Sequence, residues 1–307
     1  MRDLVLQLVV VAVAVLAINL ISAKTVLAAS GDTIKNGDFT YTEEADGTLT
    51  LSLYNGTATK IVVPEKVDGK TVTGIGRLFI ASSVVKNVTD VTLPETITTL
   101  YDYAFSRCNG LKNINLPESL SWIGNYAFYN NHSLEQINLP SNLKSIGSRA
   151  FINCTGIREL DIPVSVSSMG SHITEGCESL EAIKIGGNIN GSTGRYKCVD
   201  GVLFGPSNNI NGYYALLRYP PAKFGSAYEV TEKVEIFDQG SFDGCSLTEI
   251  TLNAEVEEVS DAFGDAMHLK NFKVSPNNPK FLTGVDGDDH SLFRRTAMGL
   301  MHWSDIL

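Results

Sequence analysis

Positive charge is in short supply. The 307 residues hold 24 Lys and Arg against 34 Asp and Glu, a formal net charge of −10. Nucleic acid and anionic membrane surfaces both need a basic footprint, so neither is expected as a partner, and no membrane contact is expected beyond an export segment. Chemistry is scarce as well. The histidines His132, His172, His268, His290 and His302 stand at unrelated places, and His172-x-x-Glu175 reads as chance spacing. There is no glycine-rich phosphate loop and no paired-cysteine zinc spacing. Asp286-Gly287-Asp288-Asp289 lacks the spacing and distal Glu of an EF-hand and reads as a solvated turn. The sequence therefore points to no cofactor, no metal and no catalytic residue, and the chain is read as non-enzymatic.

What the sequence does have is a period. Pro94, Pro117, Pro140 and Pro163 recur every 23 residues. A fixed period in this range marks a stacked repeat, whose core grows along one axis and escapes the size limit of a single globular core. Each unit reads L-x-x-I-x-L-P-x-x-(I/L/V)-x-x-(I/L/M)-(G/Y)-x-x-A-F-x-x-C. One copy is Leu111, Ile114, Leu116, Pro117, Leu120, Ile123, Gly124, Ala127 and Phe128; the next runs from Leu134 to Phe151. I-x-L sends two side chains to one side of an extended segment. Pro ends that strand because it has no N–H for a ladder. The following apolar pair marks a tight turn of helical or 3₁₀ character, and Ala-Phe fills the layer. Stacking would bury a continuous column of Leu, Ile and Phe.

Cys108, Cys154, Cys177 and Cys245 occupy one slot, three residues after the Phe position, and Asn131 takes the same slot in its own unit. Such a slot is a small corner, with its side chain bonding to turn carbonyls. In-register side chains point the same way, so free thiols are expected despite the odd count of five. Cys198 falls outside the slot.

The period is framed by other material. Residues 1–29 read as a secretory signal peptide: Arg2, an apolar run from Leu4 to Ile21, then the small residues Ala28 and Ala29. The run is near the ~18 residues at which an uncleaved anchor becomes an alternative. Residues 30–60 form an N-terminal β cap, with alternation around Phe39 and Tyr41, a turn at Asp46-Gly47, and Leu49, Leu51 and Leu53. Residues 61–185 carry the regular repeats. Residues 186–227 are an island that reads as an inserted two-stranded hairpin. Residues 228–307 return to the repeat in irregular form, and a second copy of the island reads as cut short.

IGNYAFYNNHSLEQINLPSNLKSIGSRAFINCTGIRELDIP, with the island DGVLF…LLRYPPAK, resembles the BspA-like subclass of leucine-rich repeat proteins. The Pro after the strand, the I-G-x-x-A-F and the 23-residue length carry the resemblance, which covers Gly37 to Trp303. It implies an α/β-type but β-rich fold: a right-handed leucine-rich repeat solenoid of ~23-residue repeats behind a β-hairpin cap. It also implies a secreted or cell-surface protein that adheres to host matrix or neighbouring-cell proteins. The residues alone supply a candidate face. Thr92, Asn115, Asn138, Asp161 and Lys184 point outward from successive strands, with Asn113, Gln136 and Glu159 beside them. This polar stripe is the expected binding surface for an extracellular protein ligand. A glycan or cell-wall ligand, or the targeting of an enzyme encoded elsewhere, is the alternative. The stripe carries no aromatic residue, the type enriched in binding hot spots.

Overall fold

The computed structural model describes residues 33–77, 87–207, 214–259, 261–283, 292–296 and 299–302. The export segment 1–29, Phe79 of the first unit and the turn from Asp286 to Asp289 lie outside the described residues.

The chain is a β-rich solenoid whose units build three parallel ladders. The first is the one read from I-x-L. Lys60–Val62, Asp90–Thr92 and Asn113–Asn115 pair side by side, as do Glu159–Ile162 with Ala182–Ile185, and Ala227–Glu229 with Glu249–Leu252 and Asn271–Val274. After the strand, the proline carbonyl closes a turn: Pro94, Pro117, Pro140 and Pro163 O accept from the N–H three residues on, at 3.2, 3.0, 3.1 and 3.0 Å. The turn leads directly into a second ladder of two-residue strands, Thr99–Leu100, Trp122–Ile123, Ser145–Ile146 and Ser168–Met169. The sequence gives no warning of it, because two residues are too few to show alternation. Among the described residues there is no α-helix; turns alone close each unit.

The third ladder runs through the Ala-Phe segment. Phe105 N donates to Ala127 O at 2.7 Å, Phe128 N to Ala150 O at 2.8 Å and Phe151 N to Ile173 O at 2.9 Å. Left-handed residues flank the Phe two positions away on either side: Tyr103 and Arg107, Tyr126 and Asn130, Arg149 and Asn153, with φ between 54° and 63°. The backbone strain at these side chains is offset by the stacked hydrogen bonds it allows. Phe105, Phe128 and Phe151 are fully buried and stack at centroid distances of 5.6 and 5.4 Å.

The glycine before this segment has a steric cause. A Cβ on Gly147 would lie 2.5 Å from Asn125 N, and one on Gly170 2.2 Å from Ser148 N. Successive units touch through their backbones there. Gly147→Ala is expected to cost about 1–3 kcal/mol by forcing the units apart. Urea unfolding measures it, and a change within about 0.5 kcal/mol, as for an ordinary surface site, would show that the units are not held that close.

The cysteine slot is as read. All five cysteines are free and buried. Cys154 Sγ lies 3.0 Å from Phe128 O and Cys177 Sγ 3.1 Å from Phe151 O. Asn131 does the same work with its amide, Nδ2 donating to Phe105 O at 2.8 Å and to Phe128 O at 2.6 Å. Burial pushes the Cys108 and Cys154 thiols well above their ordinary range and Cys177 up to about 12, which marks them as packing groups rather than nucleophiles. Cys198 is buried in the wall of the island, on Lys197–Val199.

Two hairpins correct the reading of the connections. The island has three antiparallel strands, not two: Lys197–Val199, Val202–Pro206 and Tyr214–Arg218. Asp200-Gly201, with φ of 48° and 76°, folds the first strand back onto the second. Asp68-Gly69, with φ of 51° and 79°, makes a second such hairpin between Lys66–Val67 and Lys70–Ile75. The island also repeats the cap. Thr33–Asn36, Phe39–Glu43 and Leu49–Tyr54 form an antiparallel meander whose last strand pairs in parallel with Lys70–Ile75. In the same way, Tyr214–Arg218 pairs in parallel with Val234–Phe237. The island therefore restarts the stack, and a second hydrophobic core begins at Val202 and Phe204. A third antiparallel meander follows, Phe281–Thr283, Leu292–Thr296 and Gly299–His302.

Candidate functional site

The stripe read from the sequence lies on the first ladder. Thr92, Asn113, Asn115, Gln136, Asn138, Glu159 and Asp161 are exposed and Lys184 is half-buried. Register places Thr92 against Asn115 and Asp161 against Lys184. Several of these side chains are already engaged. Asn115 spans the ladder, taking Leu93 N–H at 2.9 Å and giving to Leu93 O at 3.1 Å. Asn113 Nδ2 donates to Asp90 at 2.9 Å, and hydrogen bonds from Thr89 and Asn113 lower the Asp90 pKa. Asp161 accepts from Gly187 N–H at 2.9 Å, and Lys184 pairs with Glu159 at 2.6 Å. Thr92, Gln136 and Asn138 make no side-chain hydrogen bond among the described residues.

The ladder is interrupted in the middle of the stripe. Asn113–Asn115 and Glu159–Ile162 end separate sheets, and no main-chain hydrogen bond joins residues 135–139 to either neighbour. Ile137 still points inward, at 6% exposed, so the side-chain column continues where the hydrogen bonds do not. Two shallow depressions meet at the break. One of 460 Å³ is lined by Gln136, Asn138, Glu159, Asp161 and Lys184 among others; the second, of 340 Å³, shares Asn138 and Asp161 and includes Glu118 and Val164. The arrangement offers unpaired main-chain donors and acceptors between side chains of both charges. It can hold a polar ligand by hydrogen bonds and cannot enclose one.

A second row of side chains was not found from the sequence. Aromatic residues missing from the stripe lie along the third ladder, partly exposed. Tyr103 and Tyr126 stack at 4.9 Å with planes 2° apart, and Arg77 sits 5.1 Å over Tyr103. Arg149 donates to the Tyr126 hydroxyl at 3.1 Å and to Glu175 at 3.0 Å. Beside this row, on the second ladder, Tyr101 meets Trp122 edge-on at 6.0 Å. Tyr103, Tyr126 and Arg149 are 23 residues apart, and that spacing was the available signal. Among the described residues no group of three His, Cys, Asp or Glu could hold a metal ion.

A stack of 23-residue units with one buried column and one polar face is a leucine-rich repeat solenoid. The chain belongs to the BspA type leucine-rich repeat family, whose profile matches six copies over residues 82–194 and 226–283, more than half of the chain. Among solved structures it is similar to the pneumococcal vaccine antigen PcpA, at 21% identity and a TM-score of 0.62 over 82% of this chain and 71% of that one. A leucine-rich repeat protein from Eubacterium ventriosum matches at 20% identity and a TM-score of 0.56, over 80% and 73%. One from Bacteroides ovatus matches at 21% and 0.50, over 79% and 71%. At these identities the structures show the shared fold. No curated protein matches the chain.

Proposed function

We propose that the chain is a non-enzymatic, exported scaffold that binds an extracellular protein, on host matrix or a neighbouring cell, through its first-ladder face. The observation that carries this is the break at residues 135–139. It places open main-chain groups and the uncommitted Gln136 and Asn138 beside the Glu159–Lys184 pair, at the floor of two depressions. Extended faces of this kind are the usual binding surfaces of solenoids. Family membership supports the protein-binding reading, and the apolar segment 1–29 supports export.

A glycan is the competing ligand class. The amides of Asn113, Gln136 and Asn138 suit hydroxyl groups, whereas the face carries no aromatic platform for a sugar ring. Labelled purified protein applied in parallel to immobilised matrix proteins and to a glycan array separates the two. Saturable binding to a protein and none on the array is expected. Binding to glycans alone would sink the protein reading, and hydrolysis of any glycan would sink the non-enzymatic one.

A further inference from the structure

At the seam between the regular repeats and the island, the third ladder stops. In each earlier unit, alternate N–H groups point along the stack to the next unit's carbonyls. Arg149, Phe151 and Asn153 N donate to Ser171, Ile173 and Glu175 O at 2.9, 2.9 and 2.8 Å. The equivalent donors one unit on, His172, Thr174 and Gly176 N, have no acceptor among the described residues. In the unit beyond the island the carbonyl equivalent to Ile173 O, Ser241 O, is taken by Tyr219 N at 2.8 Å, and Arg218 Nη1 donates to the adjacent Gly240 O at 2.7 Å. His172 and Gly176 are left-handed, with φ of 55° and 69°.

Side chains continue the pattern. Thr174 is 1% exposed and Arg218 5%. Thr174 Oγ1, Arg218 Nε and both ring nitrogens of His172 are buried without a partner. His172, Thr174 and Arg218 line one cavity of about 30 Å³. A water needs about 10–15 Å³ of such space, so the cavity has room for about two waters, which a halide fits. No carboxylate stands within ion-pair distance of Arg218 among the described residues. Glu175 is committed to Arg149, and burial raises the pKa of Asp238, the other carboxyl on the cavity wall.

We infer that this cavity is a binding site for a small monovalent anion, chloride in size, held by the Thr174 main chain and hydroxyl and by the Arg218 guanidinium. The site joins the last regular unit to the inserted strand Tyr214–Arg218 and so seals the point where the stack restarts. It is independent of the first-ladder face.

The test uses the purified protein and bromide. Crystals soaked in sodium bromide should show an anomalous peak between Thr174 Oγ1 and Arg218 Nε. Thermal unfolding in sodium bromide or chloride should lie about 3 °C above that in sodium gluconate at equal ionic strength, because an anion that binds only the folded chain stabilises it by mass action. Thr174→Val keeps the shape of the side chain and should lose most of the halide-specific shift. Arg218→Lys keeps the charge but not the fork, and should also reduce it. No peak at the site, or equal melting temperatures in halide and gluconate, would overturn the proposal in favour of ordered water alone.

Discussion

Phe128→Ala is expected to destabilise the protein by about 3–5 kcal/mol, the range for removing a fully buried aromatic from a core that relaxes only in part. Phe128 lies between Phe105 and Phe151 with no exposed surface, and its ring stacks on both. The main chain around it is held on both sides by the third ladder, Phe105 N to Ala127 O and Phe128 N to Ala150 O, so collapse into the gap is restricted. In a solenoid each unit touches only its neighbours, so the loss falls at the two interfaces of this unit and weakens its coupling to the units before and after it. Phe224 supplies the control: it is wholly exposed, and Phe224→Ala should change stability by no more than about 0.5 kcal/mol. Urea unfolding of both variants, followed by far-UV circular dichroism, checks the pair. A cost near that of Phe224→Ala would mean that the Phe column is not the core.

Asn131→Leu should cost about 1–3 kcal/mol. The side chain is fully buried, and its amide is the donor to two turn carbonyls, Phe105 O and Phe128 O. Leucine is similar in size but loses both amide hydrogen bonds, at about 0.5–1.5 kcal/mol each, while Cys154 Sγ still meets Phe128 O. Asn131→Cys should cost less, because Cys154 and Cys177 meet the same carbonyl from the same slot in the following units. The comparison separates hydrogen bonding from packing. Equal costs for Leu and Cys would show that the slot selects for size alone. Asn131 Oδ1 has no partner, so the Cys variant also removes one unpaired buried acceptor, which narrows its loss further.

How much could be read in advance followed from how each feature is written in side chains. The first ladder was legible because I-x-L and the proline after it repeat every 23 residues. The slot of Cys and Asn131 was legible for the same reason. The second ladder was not, since Thr99–Leu100 and Trp122–Ile123 are too short to alternate. The left-handed positions in the third ladder were hidden because Tyr103, Tyr126 and Arg149 occupy them where glycine would have announced the conformation. Asp200-Gly201 did announce a turn, but the island was read as two-stranded, so one of its strands was missed. The outward direction of the stripe was legible; its engagement was not. That Asn115 braces Leu93, and that the ladder breaks at residues 135–139, depends on contacts between units that no single repeat records.

The most direct test of the binding face is a triple variant, Asn138→Lys, Asp161→Lys and Lys184→Glu, compared with the unaltered protein on the same panel of immobilised matrix proteins. Asn138 and Asp161 are exposed and the Lys184–Glu159 pair is partly solvated, so the fold should be nearly unaffected. Binding is expected to fall at least about tenfold, the equivalent of roughly 1.4 kcal/mol, with the melting temperature unchanged. Binding at full strength by a folded triple variant would contradict the assignment of this face.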